Sequence, residues 1–184
     1  MQTSRRGAPS VGTRIGSSTY DLQTNSSSQS RIIVGDFGDI GAVWTGSTSF
    51  TSGWADRGTF YNYNDLSTWG AEPTARIETV RTGWPTMLRA GAEDVIFSHD
   101  FGGLGYTLMH TKTIGGGGAW NEIHASGAIE GTWPRAAYSG MTNTIHMINL
   151  DYSGGAGTNY LQYWRSQDGG ATFDIQQAGL PGLD

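Results

Sequence analysis

The sequence predicts an all-β fold assembled from repeated units of four short antiparallel strands. Three observations predict it. The first is composition: among 184 residues there are 29 Gly, seven Trp and eight Tyr, with only 15% charged side chains. Glycine marks turns and aromatic rings suit a pleated, half-buried surface, so many short strands are favoured over helices. The second is a Trp-Pro segment that occurs twice, Gly83-Trp84-Pro85 running on to Gly91 and Thr132-Trp133-Pro134 running on to Gly140, 49 residues apart. The third is a turn-forming stretch closed by an aromatic residue, which recurs at Trp69, Trp120 and Phe173 with spacings of 51 and 53 residues. Two independent markers with a period of about 50 residues match one four-stranded propeller blade. No stretch of ten or more residues carries the i, i+3, i+4, i+7 apolar stripe of an amphipathic helix.

Taken in order, the chain opens with a polar segment, 1–17, expected to be flexible, followed by 18–184 as a three-blade unit. Residues 18–24 read as a lone strand that could close a ring by joining the last blade from the N-terminal end. Blade 1 is expected over about 30–82, where Arg31-Ile32-Ile33-Val34 and Ile40-Gly41-Ala42-Val43-Trp44 form a degenerate copy of the repeat. Blade 2, about 83–131, has expected strands 86–89, 94–99, 106–113 and 120–125. Blade 3, about 132–184, has expected strands 135–138, 144–150, 160–165 and 173–178. Partial alternation of apolar and polar residues suits strands covered on both faces by neighbouring blades. A closed propeller takes about four to eight blades. Three blades are half of a six-bladed ring, so the expectation is either self-association into a closed ring or further blades of a longer chain.

Residues 166–173 read Ser-Gln-Asp-Gly-Gly-Ala-Thr-Phe. Asp168 can accept hydrogen bonds from its own turn, Gly169 and Gly170 supply positive φ, Thr172 adds a hydroxyl, and Phe173 points inward. These residues resemble the Asp-box, or BNR repeat, of sialidase-like β-propellers, and Ser166, Asp168, Gly170, Thr172 and Phe173 match the motif. Asn64-Asp65-Leu66-Ser67-Thr68-Trp69 is similar but one residue shorter, and Gly115 to Gly118 followed by Ala119-Trp120 keeps the glycines without the acid. The resemblance implies a structural turn between the third and fourth strands of a blade, on the rim away from the ligand.

The ligand is then expected at the opposite rim, built from 45–57, 100–105 and 151–159 with the inter-blade links 81–83 and 129–132. The candidate residues there are Trp54, Asp56, Arg57, Arg81, Asp100, Glu130, Asp151 and Tyr152. Aromatic faces for stacking, with carboxylates and arginines for hydroxyls, suit a glycan ligand. Sialidase chemistry itself is not carried by the residues. Thr13-Arg14-Ile15-Gly16 and Ser30-Arg31-Ile32-Ile33 lack the Arg-Ile-Pro motif, and Arg89 and Arg135 occupy different repeat positions, so no arginine triad can be assigned.

Other chemistries are excluded more simply. The net charge is −5 and Lys112 is the only lysine, which argues against a nucleic-acid partner. There is no cysteine, hence no disulfide and no cysteine zinc site. His99, His110, His124 and His146 show no metal-ligand spacing, and no cofactor is expected. Ser98-His99-Asp100 has the residue types of a hydrolase triad, but neighbours on a strand point to opposite faces. No apolar run reaches the roughly 18 residues of a membrane span. The N-terminus lacks the apolar core of a signal peptide, while the lysine-poor, Ser/Thr/Gly-rich texture suits a secreted or cell-surface protein.

The functional expectation is therefore a non-catalytic propeller module that binds a ligand, a glycan being one class, or assembles with itself. Two alternatives stand beside it. One is part of a sialidase-like glycoside hydrolase whose catalytic residues come from further blades or a partner chain. The other is a truncated or engineered half-propeller.

Overall fold

The structure, a computed structural model, describes residues 12–24, 28–100, 105–151 and 160–182, with the backbone alone over 125–128. Eleven strands form three antiparallel sheets, and no helix occurs among the described residues. Sheet 1 contains β1 (Ile32–Val34), β2 (Ile40–Gly46) and β3 (Gly58–Asn64) in that order. Sheet 2 contains β4 (Thr82–Ala90), β5 (Glu93–Asp100), β6 (Tyr106–Thr113) and β7 (Asn121–Glu130). Sheet 3 contains β8 (Thr132–Ser139), β9 (Thr144–Leu150), β10 (Leu161–Ser166) and β11 (Ile175–Gly179). Each sheet is a meander in which sequence neighbours pair.

The core lies between the sheets. Leu88, Val95, Phe97, Met109 and Ile129 of sheet 2 meet Ile145, Met147, Trp164 and Phe173 on the side of sheet 3. On its other face sheet 2 offers Met87 and Ile96 to Val43 of sheet 1, with Ile33, Tyr61, Ile77 and Trp120 packed around them. Sheet 2 is thus covered twice, and from Asp94 to Asp100 every residue of β5 is buried. In sheet 3 the burial alternates strictly along β10, so one face only enters the core. Each large apolar side chain buried in these layers contributes about 1.5–3 kcal/mol.

The structure corrects the expected strands in three places. First, the inner strands of sheets 2 and 3 do not start after Trp-Pro; they begin at Thr82 and Thr132, with Trp-Pro inside the strand. Second, sheet 1 has three strands. Beyond β3 the ladder ends in a single bridge, Asn64 to Trp69. Isolated backbone bonds and side chains cover the edge of β3: the Ile77 N–H donates to the Thr59 carbonyl at 3.0 Å, the Glu78 carboxylate accepts the Thr59 N–H at 2.8 Å, and Arg76 ties the neighbouring loops by donating to the Ala55, Glu78 and Thr79 carbonyls.

Third, residues 18–24 form no strand and lie against sheet 1. The Thr19 N–H donates to the Ser47 carbonyl at 2.9 Å, and Ser18 and Gln23 donate to the Thr45 carbonyl. The chain before them covers the outer face of sheet 1, where the Asn62 amide donates to the Ile15 carbonyl and the Trp44 indole N–H to that of Ser17. Gly16 makes this approach possible, because a Cβ there would sit 2.2 Å from the Trp44 ring.

Candidate functional site

The two Trp-Pro dipeptides form the same bulge in two sheets. In β4 the register runs Gly83 opposite His99 and then Thr86 opposite Phe97. In β8 it runs Thr132 opposite Leu150 and then Arg135 opposite Ile148. In both, Trp and Pro together face one residue of the neighbouring strand. Proline has no N–H for a ladder, so a bulge is where a strand tolerates it. Both tryptophans adopt φ = 50°, a left-handed conformation that costs a bulky residue about 1–3 kcal/mol.

Each bulge is latched onto the preceding sheet. The Trp84 N–H donates to Thr45 Oγ1 at 3.0 Å, and the Trp133 N–H to His99 Nδ1 at 3.2 Å. Thr45 and His99 are matched positions, opposite Thr59 and Thr107 in their own sheets. Because Nδ1 accepts, the proton of a neutral His99 resides on Nε2. Burial, then the positive charges of Arg57 and Arg135, lower its pKa to about 3, so it is neutral at physiological pH.

These latches gather an aromatic collar. Trp84 stacks on His99 with ring centroids 5.0 Å apart and planes 5° from parallel. Trp133 lies 5.3 Å from His99 and 6.4 Å from Trp84. Tyr20 sets its edge against Trp54 at 5.2 Å and against Trp84 at 6.3 Å. The Arg57 guanidinium, only 2% exposed as a residue, sits 4.9 Å from the Tyr20 ring centre and 4.8 Å from that of Trp84. It donates to the Thr82 carbonyl at 2.9 Å and to the Tyr20 hydroxyl at 3.2 Å. Burial and the neighbouring Arg81 lower its pKa, but an arginine stays charged at any working pH. Arg81 in turn donates to the Trp54 carbonyl, and Trp54 has φ = 41°.

Of the expected ligand residues, Trp54, Arg57 and Arg81 are brought together here. Asp100 ends β5 beside His99, is buried, and accepts the Tyr106 N–H at 3.0 Å. Asp151, also buried, holds the matching place after β9, where its N–H donates to the Tyr160 carbonyl. Glu130 is exposed at the end of β7 and accepts from the Gln177 amide. Asp56 serves its own loop, accepting from Ser47, Thr48 and Ser49. Burial pushes its pKa up, but the bonds from Ser47 and Thr48 outweigh this and hold it at about 2. Tyr152 lies outside the described residues. Tyr20, Trp84, His99 and Trp133 are collar residues absent from the sequence-based set; the repeated Trp-Pro was the signal that pointed to two of them.

The turn over 166–173 connects β10 to β11 and satisfies itself. Asp168 accepts from the Ser166 hydroxyl at 2.8 Å, the Thr172 N–H at 2.9 Å and the Thr172 hydroxyl at 2.6 Å. The Thr172 bonds lead in lowering its pKa to about 2. Gly170 donates to Ser166 Oγ; its φ of 101° disfavours any L side chain, and a Cβ there would also displace the Met109 methyl, 2.0 Å away. In the 64–69 turn Asp65 accepts from Ser67 and Thr68 in the same way, and its pKa is about 2, the Thr68 N–H being the largest cause.

A cleft of about 760 Å³ opens where the turns between first and second strands meet, lined in part by Val34, Phe37, Asp39, Arg89 and Tyr138. Beneath it Arg89 pairs with Asp39 and Asp94, each at 2.8 Å, and the Tyr61 hydroxyl donates to Asp94 at 2.6 Å. No group of three metal-ligating side chains occurs among the described residues.

No family model matches the sequence, and no curated protein matches it. Among solved structures the chain is similar to Zg3597, a family 117 glycoside hydrolase produced by the marine bacterium Zobellia galactanivorans. That match has a TM-score of 0.55 and 13% identity, covering 81% of this chain and 54% of the other. It is also similar to Bacteroides ovatus Xyloglucan PUL GH43B, with a TM-score of 0.48 and 15% identity over 90% of this chain and 34% of that one. The chain spans about half the length of Zg3597. The class the fold defines is a propeller-like arrangement of antiparallel sheets.

Proposed function

We propose that the chain is a non-catalytic, propeller-type binding module of a secreted or surface protein, and that it takes a carbohydrate at the collar of Tyr20, Trp54, Trp84 and Trp133 around Arg57. One observation carries the reading: two sheets bend their inner strands by the same bulge and hold tryptophan at the same positive φ, both turned to one place. Strain repeated at one site is the usual companion of ligand recognition. The chemistry fits, since sugars offer C–H faces to aromatic rings: Trp54 and Trp133 are half-buried and can meet one, while the buried Tyr20, Trp84 and Arg57 hold them in place. A site of apolar lining with a few polar groups is the general form of a small-molecule pocket. The structural neighbour Zg3597 is a glycoside hydrolase, which agrees with a carbohydrate. In this reading the 166–173 turn is an Asp-box with a structural role.

The test is a fluorescence titration with a panel of neutral and uronate-bearing oligosaccharides. A saturable change with at least one class is expected, lost in Trp54→Ala and reduced at least tenfold in Arg81→Ala, with the β circular dichroism retained. No response to any class, from protein shown to be folded, contradicts the proposal.

A second reading rests on Asp100 and Asp151, buried carboxylates at matched positions of adjacent sheets. Glycoside hydrolysis uses a pair of carboxyl groups. Release of reducing sugar from the same panel, abolished by Asp100→Asn or Asp151→Asn, would favour hydrolysis over binding alone.

A further inference from the structure

Both junctions between sheets use one set of strand positions. Gly41, Val43 and Thr45 of β2 face sheet 2: a Cβ on Gly41 would meet Met87, Val43 packs with Met87, and Thr45 latches Trp84. Val95, Phe97 and His99 of β5 face sheet 3. The pairing with the third strand fixes the correspondence, with Val43 opposite Tyr61, Phe97 opposite Met109 and Ile148 opposite Tyr163. The same positions of β9 are His146, Ile148 and Leu150. Their neighbours on the adjoining strands are Leu161 and Tyr163 of β10 and Ala178 of β11. All are half-buried, and among the described residues none belongs to either core cluster. Three polar groups are accounted for on this face: Arg165 pairs with Asp174 at 2.6 Å, His146 Nδ1 meets the Tyr163 hydroxyl at 2.6 Å, and Arg135, opposite Ile148, donates to the Trp133 and Pro134 carbonyls.

We infer that the outer face of sheet 3 is a self-association surface, through which two copies of this chain join face to face about a two-fold axis. Continuity with the two existing junctions makes the face an interface. Two features select the occupant. At each existing junction the incoming sheet brings a tryptophan N–H that Thr45 or His99 accepts, whereas Leu150 has no acceptor. A sheet entering in the same manner would bury that N–H unpaired, which is unfavourable. In addition, the complementary face of a second copy, the outer face of sheet 1, is occupied by residues 12–24. A head-to-tail ring would have to strip that segment away. The surface a second copy still offers is its own sheet 3, which gives an isologous contact. Four strands about 4.8 Å apart and roughly six residues long project about 400 Å² per copy, about 800 Å² in all, which is below the roughly 1,000 Å² of a stable interface and fits a weak, transient one. The dimer is therefore expected to dissociate on dilution.

The test is light scattering coupled to size exclusion over a concentration series, from micromolar to millimolar. The expected species is a dimer of the 19.7 kDa chain that dissociates on dilution. Ile148→Lys should weaken it at least tenfold, and Leu22→Lys, on the covered end, should leave it unchanged. Because the sequence has no cysteine, Tyr163→Cys should give a disulfide-linked dimer on oxidation while Met141→Cys should not. A monomer at every concentration, a dimer indifferent to Ile148→Lys, or growth beyond the dimer would each overturn the inference. If Ile148→Lys does not fold, the cysteine pair decides alone, and equal cross-linking of both variants, or of neither, overturns it.

Discussion

Two motifs repeat in this chain, and they behave in opposite ways. The turn at 166–173 turns its polar groups on itself: Asp168, Ser166 and Thr172 bond one another, and Phe173 drops into the core. The Trp-Pro bulges do the reverse. They hold tryptophan at a strained φ, take their latch from the preceding sheet, and collect Tyr20, Trp54 and Arg57 from two distant parts of the sequence. A motif that is satisfied internally stabilises the fold. Strain alone does not separate the two motifs, since Leu66 in the 64–69 turn has φ = 83°; the bulges differ in being held by other sheets, and that is the feature the proposed site rests on.

The largest effect is expected for Trp84→Ala. This side chain is 4% exposed, and its removal should cost about 3–5 kcal/mol in urea unfolding and abolish ligand binding together. A loss of stability with binding intact would remove Trp84 from the site. Next is the pH dependence of stability. His99 has a folded pKa of about 3 against an ordinary 6.5, so the unfolded chain binds the extra proton between those values. Its contribution is complete above about pH 6.5 and is lost as the pH falls toward 3, by at most about 1.4 kcal/mol per pH unit. His99→Asn, which keeps an acceptor for the Trp133 N–H, should flatten that slope; an unchanged slope would assign it to other groups.

Smaller effects are expected at the self-satisfied turns. Asp168→Asn should lower stability by on the order of 1 kcal/mol and leave ligand affinity unaltered. Since hydrogen bonds hold the Asp168 pKa at about 2, its contribution is present above about pH 4 and fades as the pH falls through 2. Asp65→Asn, in the fully solvated turn, should change the melting temperature least of all. A turn variant that lost affinity without losing stability would erase the distinction between the two motifs.

Most of the sheet organisation was legible because it rests on local chemistry: glycine turns, β-branched runs and aromatic markers sit at fixed spacing along the chain. The lack of a fourth strand in sheet 1 was not legible, because beyond β3 the chain keeps only isolated backbone bonds and side-chain bonds from Glu78 and Arg76, which have no periodic signature. Nor was the fate of residues 18–24. Extended, apolar-flanked residues look alike whether they enter a sheet or lie across one, and the approach depends on Gly16 beneath Trp44. The site was half legible. Loop position pointed to Trp54, Arg57 and Arg81, yet Asp56 and Glu130, with similar loop chemistry, are tied elsewhere. His99 read as a scattered histidine because its meaning lies in the next sheet, where it accepts a single N–H from a residue 34 positions away.

The central claim concerns which tryptophans meet the ligand, and the seven indole N–H signals can be followed one by one in a ¹⁵N-labelled sample. On adding the oligosaccharide with the strongest fluorescence response, the signals of Trp54, Trp84 and Trp133 should move while those of Trp44, Trp69, Trp120 and Trp164 stay. Shifts confined to Trp69 and Trp120, the residues that close the repeated turns, would place the ligand on the opposite rim and contradict the account.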